Sequence, residues 1–151
     1  MGQQQLLLVI LVTILVGIAT VVAINIFGTA AEQANRDAVR QDLLSAVAQG
    51  QAIWARPAAM GGAGGSFDNL TDIRRLNIPR GSAAGATYTD AQIDNDNGSY
   101  TMNASDDVLT ITGVPASGEP NIVVELQRVE ADTEGPERWQ IAWDGDVADD
   151  D

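Results

Sequence analysis

The chain has 151 residues, a formal net charge of −13, eight Arg, and no Lys, His or Cys. This length supports one ordinary domain; without Cys there are no disulfides, thiolate metal sites or cysteine nucleophiles, and without His the commonest general base and transition-metal ligand is missing. The acidic balance argues against nucleic acid as a main partner, because phosphate binding needs a basic face.

The charge is unevenly placed. Residues 1–31 carry none, residues 32–56 balance three acids against three Arg, residues 57–85 carry +1 and residues 86–151 carry −14. An acidic C-terminal part without Lys reads as a solvated surface. It also reads as adaptation to concentrated salt, where a Debye length of about 3 Å screens repulsion among carboxylates.

Leu6 to Ile24 reads LLLVILVTILVGIATVVAI, with only Thr13 and Thr20 polar. As a helix this run covers about 28 Å, close to the hydrocarbon thickness of a bilayer. Apolar all round, it belongs in lipid or inside a packed assembly. The run is too long, and its flank Gly2-Gln3-Gln4-Gln5 too neutral, for a cleavable secretory signal, although Thr29-Ala30-Ala31 resembles a cleavage site. Leu6 stands where myristoylation of Gly2 needs Ser or Thr. A plain single-span anchor stays open, without a basic cluster to orient it. Gly17 and Gly28 each cost up to about 1 kcal/mol relative to Ala, so unwinding or bending is expected near one of them.

The helical pattern then continues without proline as far as Pro57. Val39, Leu43, Val47 and Trp54 recur at helical spacing, with Ala46 and Ile53 beside them, and predict a face that packs on a head domain. Arg36, Asp37, Arg40 and Gln41 fall elsewhere, and Glu32 and Arg36 form an i,i+4 pair in the favourable order. The prediction is one helix of about 50 residues, or roughly 75 Å. Pro57 ends it by removing a donor and biasing Arg56 toward extended geometry. The following Gly61-Gly62-Ala63-Gly64-Gly65 lacks the GK[ST] ending of a phosphate cradle, so a flexible loop between helix and head is expected there.

Short β patterns follow. Tyr100, Met102 and Ala104 share one face, after an Asn97-Gly98 turn signal. Val108 to Thr112 follows the Ser105-Asp106-Asp107 turn; Ile122, Val124 and Leu126 share a face; Trp139, Ile141 and Trp143 do so after Glu134-Gly135-Pro136. Turns every ten or so residues predict an antiparallel meander of about four strands, its apolar face covered by the amphipathic half of the helix. The fold class is therefore α+β. Its expected parts are 1–28, an apolar helix for a membrane or a packed assembly; 29–56, the amphipathic half of that helix; 57–98, a Gly-rich irregular connection; and 99–151, the β head with an acidic tail.

Candidate sites are sparse. Asp94-Asn95-Asp96-Asn97-Gly98 has calcium-loop residues, but Gly98 falls at position 5 and Ser105 at position 12, so the register fails. Asp144-Gly145-Asp146 and Asp149 to Asp151 read as a charged terminus rather than a cation site. Asn69, Asn97 and Asn103 each open a glycosylation sequon. Trp139 and Trp143 read as core. No catalytic constellation and no cofactor are expected.

The layout resembles a type IV pilin or pilin-like protein: a short polar start, Gln3 to Gln5, then an uninterrupted apolar helix, then an amphipathic half carrying a β-rich head. The resemblance implies a leader already removed, Met1 as the mature and methylated N-terminus, and a subunit held in the inner membrane before assembly. It implies a homo-oligomeric helical filament, built with a prepilin peptidase and assembly machinery and displayed at the cell surface. The filament core would be Met1, Gln5, Leu6, Leu7, Leu8, Ile10, Leu11, Ile14, Leu15, Ile18, Val21, Val22, Ile26 and Phe27. Gln5 stands where the family usually has Glu, Val22 where proline is common, and the Cys pairs of many pilin heads are absent. Neutral Gln5 cannot make the family's ion pair with a neighbouring amine, although its amide can accept a hydrogen bond from it. Trp54-Ala55-Arg56-Pro57, with Met60 and the Gly-rich run to Ser66-Phe67, is similar to a stretch after the long helix in a subset of bacterial pilin-like proteins. A minor pilin, a type II secretion pseudopilin and a single-span anchored binding domain are the alternatives.

Overall fold

A single α-helix, α1, runs unbroken over Gly2–Ala55 in the computed structural model, which describes residues 2–118, 120–129 and 138–143. Met1, the Glu134-Gly135-Pro136 turn and the acidic tail from Asp144 lie outside the described residues. Two compact units divide after Ala34.

The first unit is helix alone. The hydroxyls of Thr13, Thr20 and Thr29 donate to the carbonyls of Val9, Val16 and Asn25, four residues back. A β-branched polar residue thus satisfies itself on an apolar rod. The unwinding expected at Gly17 or Gly28 is absent: both sit within continuous helix. The penalty of about 1 kcal/mol per Gly is smaller than the cost of leaving backbone groups unpaired on an apolar rod.

The second unit contains the rest of α1 and a five-stranded antiparallel meander in chain order. Its strands are β1 (Gln92–Asp94), β2 (Gly98–Ser105), β3 (Val108–Pro115), β4 (Ile122–Val129) and β5 (Arg138–Trp143). The sheet has one strand more than expected. β1 offers a single buried apolar residue, Ile93, and is too short to show a period. The register aligns Tyr100 with Gly113 and Ile122, and Leu109 with Ala104 and Leu126, so alternate residues of β2, β3 and β4 face the core.

Val39, Leu43, Ala46, Val47 and Ile53 of α1 are buried in one cluster with Tyr100, Leu109, Ile111, Ile122, Val124 and Leu126. Helix and sheet approach closely because each presents a glycine. A Cβ on Gly50 would lie 2.7 Å from Leu109 Cδ2, and one on Gly113 would lie 2.7 Å from Val39 Cγ1.

Residues 57–98 give more to the core than an irregular connection would. Phe67, Leu70, Ile73 and Leu76 are all buried, on or next to two 3₁₀ turns, Phe67–Asn69 and Ile73–Leu76. Ser66 and Asp72 cap these turns by accepting from the amides of Asp68 and Arg74. The Gly-rich run is a helix cap rather than a free loop. The amides of Ala63, Gly65 and Gly64 donate to the carbonyls of Ile53, Trp54 and Arg56, orphaned where Pro57 stops the helix. Gly64 and Gly65 make that return at φ of 70° and 88°.

Two local expectations change. The reversal before β2 is made by Asn95 to Asn97, while Gly98 lies buried inside β2, where a Cβ would strike the Val114 carbonyl. Arg36 reaches the Pro120 carbonyl at 2.8 Å instead of pairing with Glu32, and the ion pair on that stretch is Arg40–Asp37 at 3.4 Å.

Candidate functional site

The stem surface is where sequence and structure concentrate unexplained exposure. Every large apolar side chain from Leu6 to Phe27 is exposed, from 48% at Val12 to 73% at Phe27. This holds for Leu6, Leu7, Leu8, Ile10, Leu11, Ile14, Leu15, Ile18, Val21, Val22, Ile26 and Phe27 alike. The helix is long and apolar enough to cross a membrane. Two shallow grooves run along it, one lined by Leu15, Ile18, Ala19, Val22, Ala23 and Ile26, the other by Leu8, Val9, Val12, Thr13 and Val16. Their steps of three and four residues, with small Ala19 and Ala23 between larger neighbours, are the relief that lets one helix seat against another. Gln5 is an exposed helical residue at the polar end of this surface.

In the second unit, Val39, Leu43 and Val47 are buried against the sheet, and Trp54 packs half-buried at the core's margin. Trp54 meets Trp139 edge-on with ring centroids 5.2 Å apart, and the Arg128 guanidinium lies over both rings at 5.3 and 5.2 Å. Trp143 also packs against the core.

One feature of this unit has no periodic signature. Asp42 projects from α1 and its Oδ2 accepts from Asn95 Nδ2 at 2.8 Å, Asn97 Nδ2 at 2.9 Å and the Tyr100 hydroxyl at 2.7 Å. Asn35, two turns earlier, donates to the Asn97 carbonyl and accepts from the Ser117 amide. Burial, and then the bond to Asp42, pushes the Tyr100 phenol far above its ordinary value, so it stays a donor. Two of the would-be calcium residues, Asn95 and Asn97, are thus occupied in joining helix to sheet: Asn95 Oδ1 accepts from the amides of Asn97 and Gly98, while both side-chain amides reach Asp42.

Asp94 is held by Gln92 Nε2 at 2.8 Å and the Thr87 amide at 3.0 Å. These bonds, Gln92's foremost, lower its carboxyl to about 2 against the desolvation that raises it. Arg74 holds Asp72 below the usual carboxylate range through a 2.7 Å ion pair.

The three sequons separate. Asn69 Nδ2 donates to the Ala63 carbonyl at 3.0 Å, Asn97 Nδ2 is held by Asp42, and Asn103 is exposed on β2. Comparison with protein-family models, curated proteins and solved structures finds no match.

Proposed function

We propose that the chain is the structural subunit of a type IV pilus-like extracellular filament, assembled by packing of its apolar N-terminal helices. The observation that carries this reading is the contrast between the two units. The second buries its apolar residues in its own core, while the first leaves a whole apolar rod exposed. At about 1.5–3 kcal/mol per large apolar side chain kept from water, such a rod must be covered at all times. Lipid covers it in the cytoplasmic-membrane pool, and neighbouring stems cover it in the fibre. The stem grooves support stem-on-stem contact, and the self-satisfied Thr hydroxyls suit both environments.

In this reading the protein acts by assembly and is not an enzyme. Its partners are copies of itself, the membrane, and the peptidase and machinery that mature and extract it. A minor pilin or pseudopilin would share every feature named here. A single-span anchored domain is the competing reading, favoured by a run whose length suits a bilayer.

The test is electron microscopy of filaments sheared from cells, with mass spectrometry of their protein. Full-length chains forming the bulk of the fibres are expected. A chain found only in membranes, never in fibres, overturns the reading in favour of the anchored domain. Leu15→Asp, on the exposed stem, should abolish fibres while the protein remains folded and detectable in cells.

A further inference from the structure

We propose that Asn103 is the glycosylated asparagine of this chain, and that Asn69 and Asn97 are not. The inference rests on the proposed function only in needing the β-sheet unit to lie outside the cytoplasmic membrane.

All three residues open an Asn-x-Ser/Thr sequon, so sequence alone ranks them equally. The structure does not. The Asn97 amide nitrogen is one of three donors on Asp42, its carbonyl accepts from Asn35, and Asn97 is only partly exposed. A sugar there would crowd the carboxylate that joins α1 to β2. The Asn69 amide nitrogen donates to Ala63, the residue whose own amide caps α1 at Ile53. Asn69 is exposed as well, but its amide nitrogen is engaged, and Asn103 differs from both in that respect. It is exposed, and its side chain makes no hydrogen bond among the described residues.

Strand geometry adds a second argument. On β2, Asn103 and Ser105 alternate with Tyr100, Met102 and Ala104, which face the core side, so the two residues an oligosaccharyl transferase must read project together from the outer face. Ser105 is exposed as well. Across the ladder Asn103 sits opposite Thr110, an uncharged partner short enough to leave room for a sugar.

The chemistry is an N-glycosyl transfer. The Asn103 Nδ2 forms a bond to the anomeric carbon of a polyprenyl-pyrophosphate-linked oligosaccharide. The carbon–oxygen bond to pyrophosphate breaks, the lipid pyrophosphate leaves as an anion, and one amide proton passes to the transferase's base. A large hydrophilic group is thereby added to the outer sheet face.

The test is peptide mapping by mass spectrometry of the full-length protein from its native host, taken separately from membranes and from sheared filaments. A sugar mass on the peptide containing Asn103, and none on those containing Asn69 or Asn97, is expected. Asn103→Gln and Ser105→Ala should each remove the whole increment, the second with the asparagine intact. An unmodified Asn103, a sugar on Asn97 or Asn69, or an increment that survives Ser105→Ala overturns the proposal. A sugar on Asn103 in membrane-derived protein supports it even when no fibres contain the chain, so its fate is separable from that of the filament reading.

Discussion

The Tyr100 hydroxyl on β2 donates to the Asp42 carboxylate on α1 at 2.7 Å, across 58 residues of sequence. With the amides of Asn95 and Asn97 on the same oxygen, one carboxylate takes three of the polar bonds between helix and sheet. Hydrogen bonds to a charged acceptor are worth about 1.5–3 kcal/mol, and stranded donors add a desolvation cost.

Asp42→Ala should therefore destabilise the folded chain by about 3 kcal/mol, because it strands three donors at once. Tyr100→Phe, which removes one donor and keeps the ring, should cost about 1 kcal/mol. Denaturant unfolding of the full chain in detergent measures both. Equal losses would show that the Tyr100 hydroxyl alone carries the joint and that the Asn95 and Asn97 amides add nothing to it.

Stability should fall in acid. The folded carboxyl of Asp94 lies at about 2, below its ordinary 3.8, and Asp72 is lowered as well. Between those values the unfolded chain binds a proton that the folded chain refuses, so the contribution is full above about pH 5 and is lost as pH falls from about 4 to 2. Asp94→Asn should flatten this acid limb. An unfolding series across that pH range that is unchanged by the substitution contradicts the assignment.

Salt should act in the opposite direction. With a net −14 over residues 86–151, repulsion within the second unit is strong in dilute buffer. Raising salt from about 0.1 M to 1 M shortens the Debye length from about 10 Å to 3 Å and should raise the melting temperature. A midpoint indifferent to salt removes the case for salt adaptation.

Trp54→Ala should cost about 2–3 kcal/mol, since it removes a ring that meets Trp139 edge-on and lies under Arg128. Trp54→Phe should cost much less. The indole nitrogen is buried without a partner among the described residues, so its loss forfeits no hydrogen bond. Thermal unfolding of the two variants side by side separates ring packing from indole chemistry.

The amino-acid sequence by itself determined the long helix, its apolar first half and the buried face at Val39, Leu43 and Val47. Strong periodicity over many turns leaves few alternatives. It also determined β2 to β5, whose residues alternate between two faces, and the stop at Pro57. Part of the missed core was visible in hindsight: Phe67, Leu70, Ile73 and Leu76 recur every three residues, the repeat of a 3₁₀ turn. Tertiary structure alone decided the rest. It paired β1, whose three residues carry no period, folded the Gly-rich run back onto the helix end, and moved Gly98 from turn to strand. It gathered Asn95, Asn97 and Tyr100 on Asp42 and left Asn103 exposed on β2. Periodicity records which side of an element is wet, because burial of apolar area is non-directional and repeats with the backbone. Hydrogen bonds between residues far apart in the chain depend on direction and distance, which exist only once helix and sheet have met.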